Sequence, residues 1–493
     1  MIKLFLDKFS VFTRGLAFGV AGALQRVVFV IMMPIYSIFI DANELGIVGL
    51  LSVLPVVLVP VFSLGLSTSI SVCYFSVKDA NTRAHFISNA QWLTTVSCLI
   101  MLTLGFVFSQ SLSMWLVGSG DYPLDVMIVL LTVAATILSL PGQFEYQFTS
   151  AVRPYAVTMI LGAIAALGSG FLFVVVVKLG STGVLLAMFS GVAVTYISIL
   201  YLRQRDSTKK CVPLSWFYAK QLLRHGLVIL PSFILLFFVS SWVRWPVEET
   251  LGLSAVASYT VGATFAGTLS FITAGIVAAW TPWAMNFSSE WNDKGKYVVG
   301  HRLMLYAVSG AFVVFCYTLL SRPVIAFVFP KEYLVAWKVV GILTAANFLL
   351  SLFSMLLPPL YMAKRVQLVL LPQLAAAIIV VTTVQMFLSL ELVGAALAVL
   401  LGSLVLVFGQ IVVNQNLKTI ALMQIHAGCL CVGALGFSAL CLLAYSVHTT
   451  LGDFYVLRLI ALFSIGCIFY RFIVKKVEAF DARRPHVRQQ KNV

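Results

Sequence analysis

Arg26 and Arg244 are the residues whose chemistry most needs an account. Each stands inside a long apolar run, Arg26 beside Gln25 near the middle of the first and Arg244 toward the outer part of the seventh. A guanidinium at membrane depth costs on the order of several kcal/mol unless it faces water, a partner or an anion. Its planar fork of donors suits an oxyanion. The bland alternative is a structural arginine paired with a carboxylate or carbonyls, and Arg244 could instead reach the interface near Glu248 and Glu249. Glu145 lies in PGQFEYQFTSAVR, flanked by Gln143 and Gln147, and is the one acid well inside a run. It could partner an arginine or take up a proton; equally, it could pair with Arg153 or reach the interface. Lys178, at the outer end of the fifth run, could guide an anion or simply snorkel. Trp280 and Trp283 flank Pro282 and, with Trp242 and Trp245, offer flat faces for stacking or form an ordinary aromatic belt. Asn286, Asn347, Gln373, Gln385 and Gln410 are further polar groups suited to line a cavity.

These residues need elements to hold them, and the composition says which. Hydrophobic residues make up 61% of the 493-residue chain and charged residues 10%, against about 25% charged in a soluble domain. Mean hydropathy is +1.03. Such a chain cannot cover a water-facing surface, which excludes a soluble enzyme or a nucleic-acid binder despite the net charge of +15. Fourteen apolar runs are long enough to be membrane helices, at 15–39, 45–75, 87–109, 124–149, 155–177, 182–202, 225–246, 255–287, 301–320, 334–361, 366–388, 393–414, 426–446 and 454–474. The second, eighth and tenth exceed one span and are expected to include interfacial turns.

Loop charge orients them. With the N-terminus in the cytoplasm, 25 of the 32 Lys and Arg fall on the inner side and 5 on the outer, leaving Arg26 and Arg244 within runs. That asymmetry places both termini in the cytoplasm. The first run is too long for a cleavable signal peptide and lacks a small-residue cleavage site. The eight Cys show no metal or disulfide spacing and read as apolar filler. Prolines inside the runs, among them Pro34, Pro60, Pro141 and Pro231, mark expected kinks. No phosphate loop, nucleophile arrangement or metal-ligand spacing is present, so no cofactor is expected. Energy would come from an H+ or Na+ gradient, from removal of product, or from a partner.

The predicted fold is an all-α integral membrane protein of about fourteen helices. Two six-helix bundles in parallel pseudo-repeat occupy 1–202 and 225–414, separated by a basic cytoplasmic linker at 203–224. Extra helices 13 and 14 occupy 415–474, and a basic cytoplasmic tail 475–493. ELGIVGLLSVL (44–54) parallels LSAVASYTVGATFAG (253–267), each opening a run with small residues. Two bundles flanking a cleft is a transporter architecture.

One resemblance sharpens this. The stretch MPIYSIFIDANELGIVGLLSVLPVVLVPVFSLGLSTSISVCYF (33–75) is similar to the opening of bacterial polysaccharide-repeat-unit flippases, members of the multidrug/oligosaccharidyl-lipid/polysaccharide exporter superfamily. The matching positions are Pro34, Tyr36, Glu44, Gly46 and Leu64-Gly65-Leu66. Further stretches resembling the family lie at 231–267, 279–286 and 390–399, in the same order. Val243 precedes Arg244 where many relatives carry Asp, so the resemblance does not extend to a mechanism needing an acid there.

The resemblance implies a substrate carried on undecaprenyl diphosphate, a lipid-linked oligosaccharide repeat unit for the O-antigen of lipopolysaccharide, for capsule, for exopolysaccharide or for common antigen. It would be flipped from the cytoplasmic to the periplasmic face of the bacterial inner membrane by alternating access. Arg26, Gln25, Arg244, Glu145, Lys178, Trp280, Trp283 and Asn286 would then line a cationic cavity for diphosphate and glycan. A polysaccharide polymerase is the partner such a flippase would serve. The rivals are a lipid II flippase, a multidrug/cation antiporter of the same superfamily, a membrane enzyme and a non-transporting scaffold. An antiporter would want buried acids, and an enzyme a large outer loop or a catalytic cluster.

Overall fold

The computed structural model describes residues 18–19, 21–22, 24, 27–77, 79–205, 213–288, 293–362 and 365–416. Every regular element among the described residues is a helix. In a bilayer the backbone must satisfy its own hydrogen bonds, and apolar runs of this length do so as helices. In chain order they are α1 (Val27–Phe39), α2 (Ala42–Leu51), α3 (Leu54–Phe62), α4 (Leu66–Ser76), α5 (Ala80–Val117), α6 (Pro123–Phe148), α7 (Val152–Gly170), α8 (Gly180–Arg205), α9 (Trp216–Ser240), α10 (Arg244–Leu251), α11 (Leu253–Ser288), α12 (Asp293–Val328), α13 (Trp337–Met355), α14 (Pro358–Met362), α15 (Leu370–Phe387) and α16 (Glu391–Asn416). Ten segments among the described residues are long and apolar enough to cross a membrane, and the last, Val366–Asn416, holds both α15 and α16. The chain is a multi-pass, all-α membrane protein. The expected helices 13 and 14 and the basic tail lie outside the described residues.

The long runs resolve differently from one another. The second is three helices, broken first at Ser52–Val53 and again at Ser63–Gly65, where Leu64 (φ 55°) and Gly65 (φ 66°) are both left-handed. The eighth, in contrast, is one helix of 36 residues with no interfacial turn. The tenth is a 3-10 turn (Lys331–Ala336), then α13, then α14. The linker is shorter than the expected 203–224. Helix α8 runs on to Arg205 and α9 begins at Trp216. Lys220 and Arg224 are exposed while Ala219, Leu222 and Gly226 are buried, so a helical face continues through the charged stretch.

Local chemistry fixes the helix ends. Asp41 accepts from the Asn43 amide at the start of α2, and Asp79 accepts from both the amide (2.9 Å) and the hydroxyl (2.7 Å) of Thr82 at the start of α5. Arg83 closes the end of α4: its Nε donates to the carbonyls of Tyr74 (3.3 Å) and Val77 (3.0 Å), with the guanidinium 4.8 Å from the Tyr74 ring centre.

Helices α1–α8 are called the first group below and α9–α16 the second. In the first, α7 lies along α8, and α6 packs on both α5 and α8. In the second, the almost wholly buried α13 packs against α11, α12 and α16. The groups meet where α2 lies on α11 and where α3, α4 and α5 lie on α9. Glycines let these backbones touch. A Cβ on Gly46 would sit 2.1 Å from the Leu253 carbonyl oxygen, and one on Gly49 would sit 2.3 Å from Thr260 Oγ1. Gly65 lies against the backbone of Gly226 in the same way. The side carrying Arg203, Arg205, Lys220 and Arg224 is called the basic face below, and the opposite side the far face.

Candidate functional site

Helix α9 ends at Ser240, and the chain turns through Ser241–Val243 into α10. Val243 and Val247 are fully buried, and Trp245 Nε1 donates to the Leu116 carbonyl of α5 at 3.2 Å. These anchors hold Arg244 at the first position of α10, beside the buried Tyr259 of α11. Its Nε is enclosed and has no hydrogen-bond partner. Among the described residues no carboxylate comes within 4.0 Å of it. Glu248 does not serve, because its Oε1 lies 3.6 Å from where a Cβ on Gly118 would stand, at the end of α5. Thr260 Oγ1, one residue beyond Tyr259, is also buried without a partner. The Arg244 Nε is a group that a bound oxyanion or ordered water would satisfy, whereas Thr260 Oγ1 is enclosed against Gly49 of α2.

The other expected site residues are dispersed. Gln25 and Arg26 lie outside the described residues, as does the side chain of Asn286. Glu145 pairs with Arg203 of α8 at 3.2 Å, not with Arg153, because the expected partner sits beyond the turn that ends α6. Lys178 is exposed, in a left-handed turn between α7 and α8 (φ 59°). Trp280 is 8% exposed, and its Nε1 donates to the Met355 carbonyl at 2.9 Å, so its ring is part of the packing. Trp283 lies 5.1 Å from Trp280 between ring centres and carries the Arg302 guanidinium 4.4 Å from its own. Gln410 donates to Asn414, which donates to the Leu356 carbonyl, a buried polar chain beneath α13.

Asp125 escapes a reading of the sequence. It is 2% exposed, and its carboxylate accepts from Ser181 Oγ (2.9 Å) and Thr182 Oγ1 (2.6 Å) at the start of α8. Standing two residues after Pro123, it reads as an ordinary first-turn acid. Its partners lie more than fifty positions away, so nothing local marks it. Among the described residues no three His, Cys, Asp or Glu side chains gather as a metal site.

The fold is similar to that of solved transporters of the MOP superfamily. A multidrug resistance MATE family transporter of that superfamily, in an inward-facing conformation, is similar with a TM-score of 0.67 at 16% identity, covering 80% of this chain and 96% of that one. An outward-facing conformation of such a transporter gives 0.60 at 16% identity, covering 84% and 96%. The lipid II flippase MurJ, in an inward closed conformation, gives 0.62 at 13% identity, covering 93% and 99%. No family model and no curated protein sequence matches the chain.

Proposed function

We propose that this chain is a flippase for an undecaprenyl-diphosphate-linked oligosaccharide repeat unit, carrying it from the cytoplasmic to the periplasmic face of a bacterial inner membrane for polysaccharide assembly. The observation that carries the reading is Arg244, a cation held inside the membrane span at the boundary of the two helix groups, without a carboxylate partner among the described residues. Such a group favours an anionic passenger and disfavours a cationic one. The two groups act as halves that rock about their shared seam, with the basic face cytoplasmic. The diphosphate travels against arginine while the polyprenyl chain stays in lipid. Arg26 supplies the second guanidinium, and an H+ or Na+ gradient or consumption of the product by a polymerase drives the cycle.

A lipid II flippase is the second reading, supported by the near-complete coverage of MurJ. A multidrug antiporter fits less well, because Glu145 is neutralised by Arg203 and Arg244 would repel a cationic drug.

The test is the distribution of lipid-linked glycan between the two membrane faces. Cells lacking the protein, and cells carrying Arg244→Ala or Arg26→Ala that still reaches the membrane, are expected to accumulate it on the cytoplasmic face. No accumulation in the deletion would sink the reading, and accumulation of lipid II instead would establish the second.

A further inference from the structure

Helix α9 has 25 residues, a rise of about 37 Å, against a hydrocarbon thickness of about 30 Å. The surplus falls at its start, on the basic face, because residues 227–240 hold no charged side chain. There the helix has two distinct sides. Ala219, Leu222 and Gly226 are buried, Leu222 among Leu66, Ile70 and Phe86 of the first group, and Gly226 against Gly65. The opposite stripe is exposed and runs Trp216, Phe217, Lys220, Arg224, Leu227, Val228. At helical spacing these positions share one side, with Lys220 and Arg224 one turn apart.

The order along the stripe matches the layers of a phospholipid. Trp216 and Phe217 are 68% and 66% exposed, at the level where aromatic rings meet headgroups. Leu227 and Val228 open the stretch that faces acyl chains. Two cations stand between these pairs, and neither has an ion pair among the described residues. Helix α9 contains no Asp or Glu. The nearby acids on the basic face are engaged elsewhere: Glu145 with Arg203, and Asp79 with Thr82 at the start of α5. Basic side chains near a helix end keep their stems in lipid and extend their charges to the headgroup layer. Side chains on a helix lean toward its N-terminus, which for α9 is the same direction.

We propose that this stripe binds an anionic phospholipid of the phosphatidylglycerol class, drawn from the leaflet at the basic face. Lys220 and Arg224 hold the phosphate between them, the guanidinium through paired donors and the ammonium as a point charge. Trp216 and Phe217 lie beside the headgroup, and the acyl chains follow Leu227 and Val228. Two unpaired cations are offset by an anionic headgroup and not by a net-neutral one. The lipid braces α9 from behind, where its other side is fastened to the first group through Leu222 and through the Ser215 amide, which donates to Asn89 Oδ1 at 2.8 Å. The site does not depend on what the transporter carries.

Native mass spectrometry of the purified full chain in detergent, given equal amounts of phosphatidylglycerol and phosphatidylcholine, tests this. Phosphatidylglycerol is expected to be retained in preference. Lys220→Gln combined with Arg224→Gln should weaken its retention by about tenfold or more. Lys220→Arg combined with Arg224→Lys keeps both charges and should preserve it. Arg205→Gln removes an exposed cation of the same face that lies off the stripe, and should leave it unchanged. A photoreactive phosphatidylglycerol should label residues 213–228. Binding of a polyprenyl diphosphate, measured the same way, should survive the Lys220→Gln/Arg224→Gln pair. Four results would each overturn the proposal: equal retention of the two phospholipids, retention indifferent to the pair, an equal loss in Arg205→Gln, or labelling confined to other segments. Loss of polyprenyl diphosphate with phosphatidylglycerol retained in the pair variant would also overturn it, and would assign the stripe to the transported lipid.

Discussion

Arg244 separates a binding role from a structural one by the sign of its effect on stability. A buried arginine that held the fold through an ion pair would destabilise the protein strongly when removed. Arg244 has no such pair among the described residues. Arg244→Met is therefore expected to leave thermal stability within about 1 kcal/mol of the parent while transport is lost. A large fall in melting temperature would show that Arg244 is structural. Glu145 and Arg203 should behave oppositely. Both side chains are mostly buried and the pair is close, so Glu145→Gln and Arg203→Gln should each destabilise by about 1–2 kcal/mol. The double variant should cost less than the two losses added together, and full additivity in a double-mutant cycle would refute the pairing. Arg244 can be found from sequence because a charge inside an apolar run is conspicuous. Asp125 and Tyr259 cannot, since each acquires its surroundings only when distant helices meet.

At the scale of the element, Asp79 offers a pH test outside the membrane. The Thr82 hydroxyl and then the Thr82 amide bond its charged form, holding its carboxyl below the ordinary value of 3.8. A group lowered in the folded state contributes above its unfolded pKa and loses that contribution as pH falls through the folded one. The first turn of α5 should therefore stay protected from hydrogen exchange, relative to Asp79→Ala, until pH drops below 3.8, and the two proteins should then converge. Convergence at a higher pH would contradict the cap. The helical runs before residue 416 are legible from hydropathy alone, because each apolar run has one way to satisfy its backbone in lipid. The breaks are not. Pro60 announces a kink, but Leu64 in a left-handed conformation has no sequence signature and is held by the helix packed against it. Helix α9 starts ahead of its expected place for a related reason: charge near a membrane face marks the interface without ending the helix.

For the whole molecule, the seam between the helix groups is the quantity to perturb. Gly49→Leu would drive a side chain into Thr260 and Val256 and should hold the groups apart at the far face. Spin labels at Lys178 and Ser389 are expected to move apart, and an unchanged distance would mean that α2 and α11 are not the closing surfaces. Two groups of helices can be anticipated from the basic linker and the faint likeness of 44–54 to 253–267. Their mutual placement cannot, because it rests on glycines whose role is to be absent as side chains.

The contact between Gly65 and Gly226 has a mechanical consequence. It lies between the far-face seam at Gly46 and the basic-face contact in which Asn89 accepts from the Ser215 amide at 2.8 Å. A helix touching the break between α3 and α4 with nothing bulky between them makes a seesaw: opening one end of the seam closes the other. Both residues must stay bare for the pivot to work, and a single methyl at Gly226 would jam it against the Leu64 carbonyl.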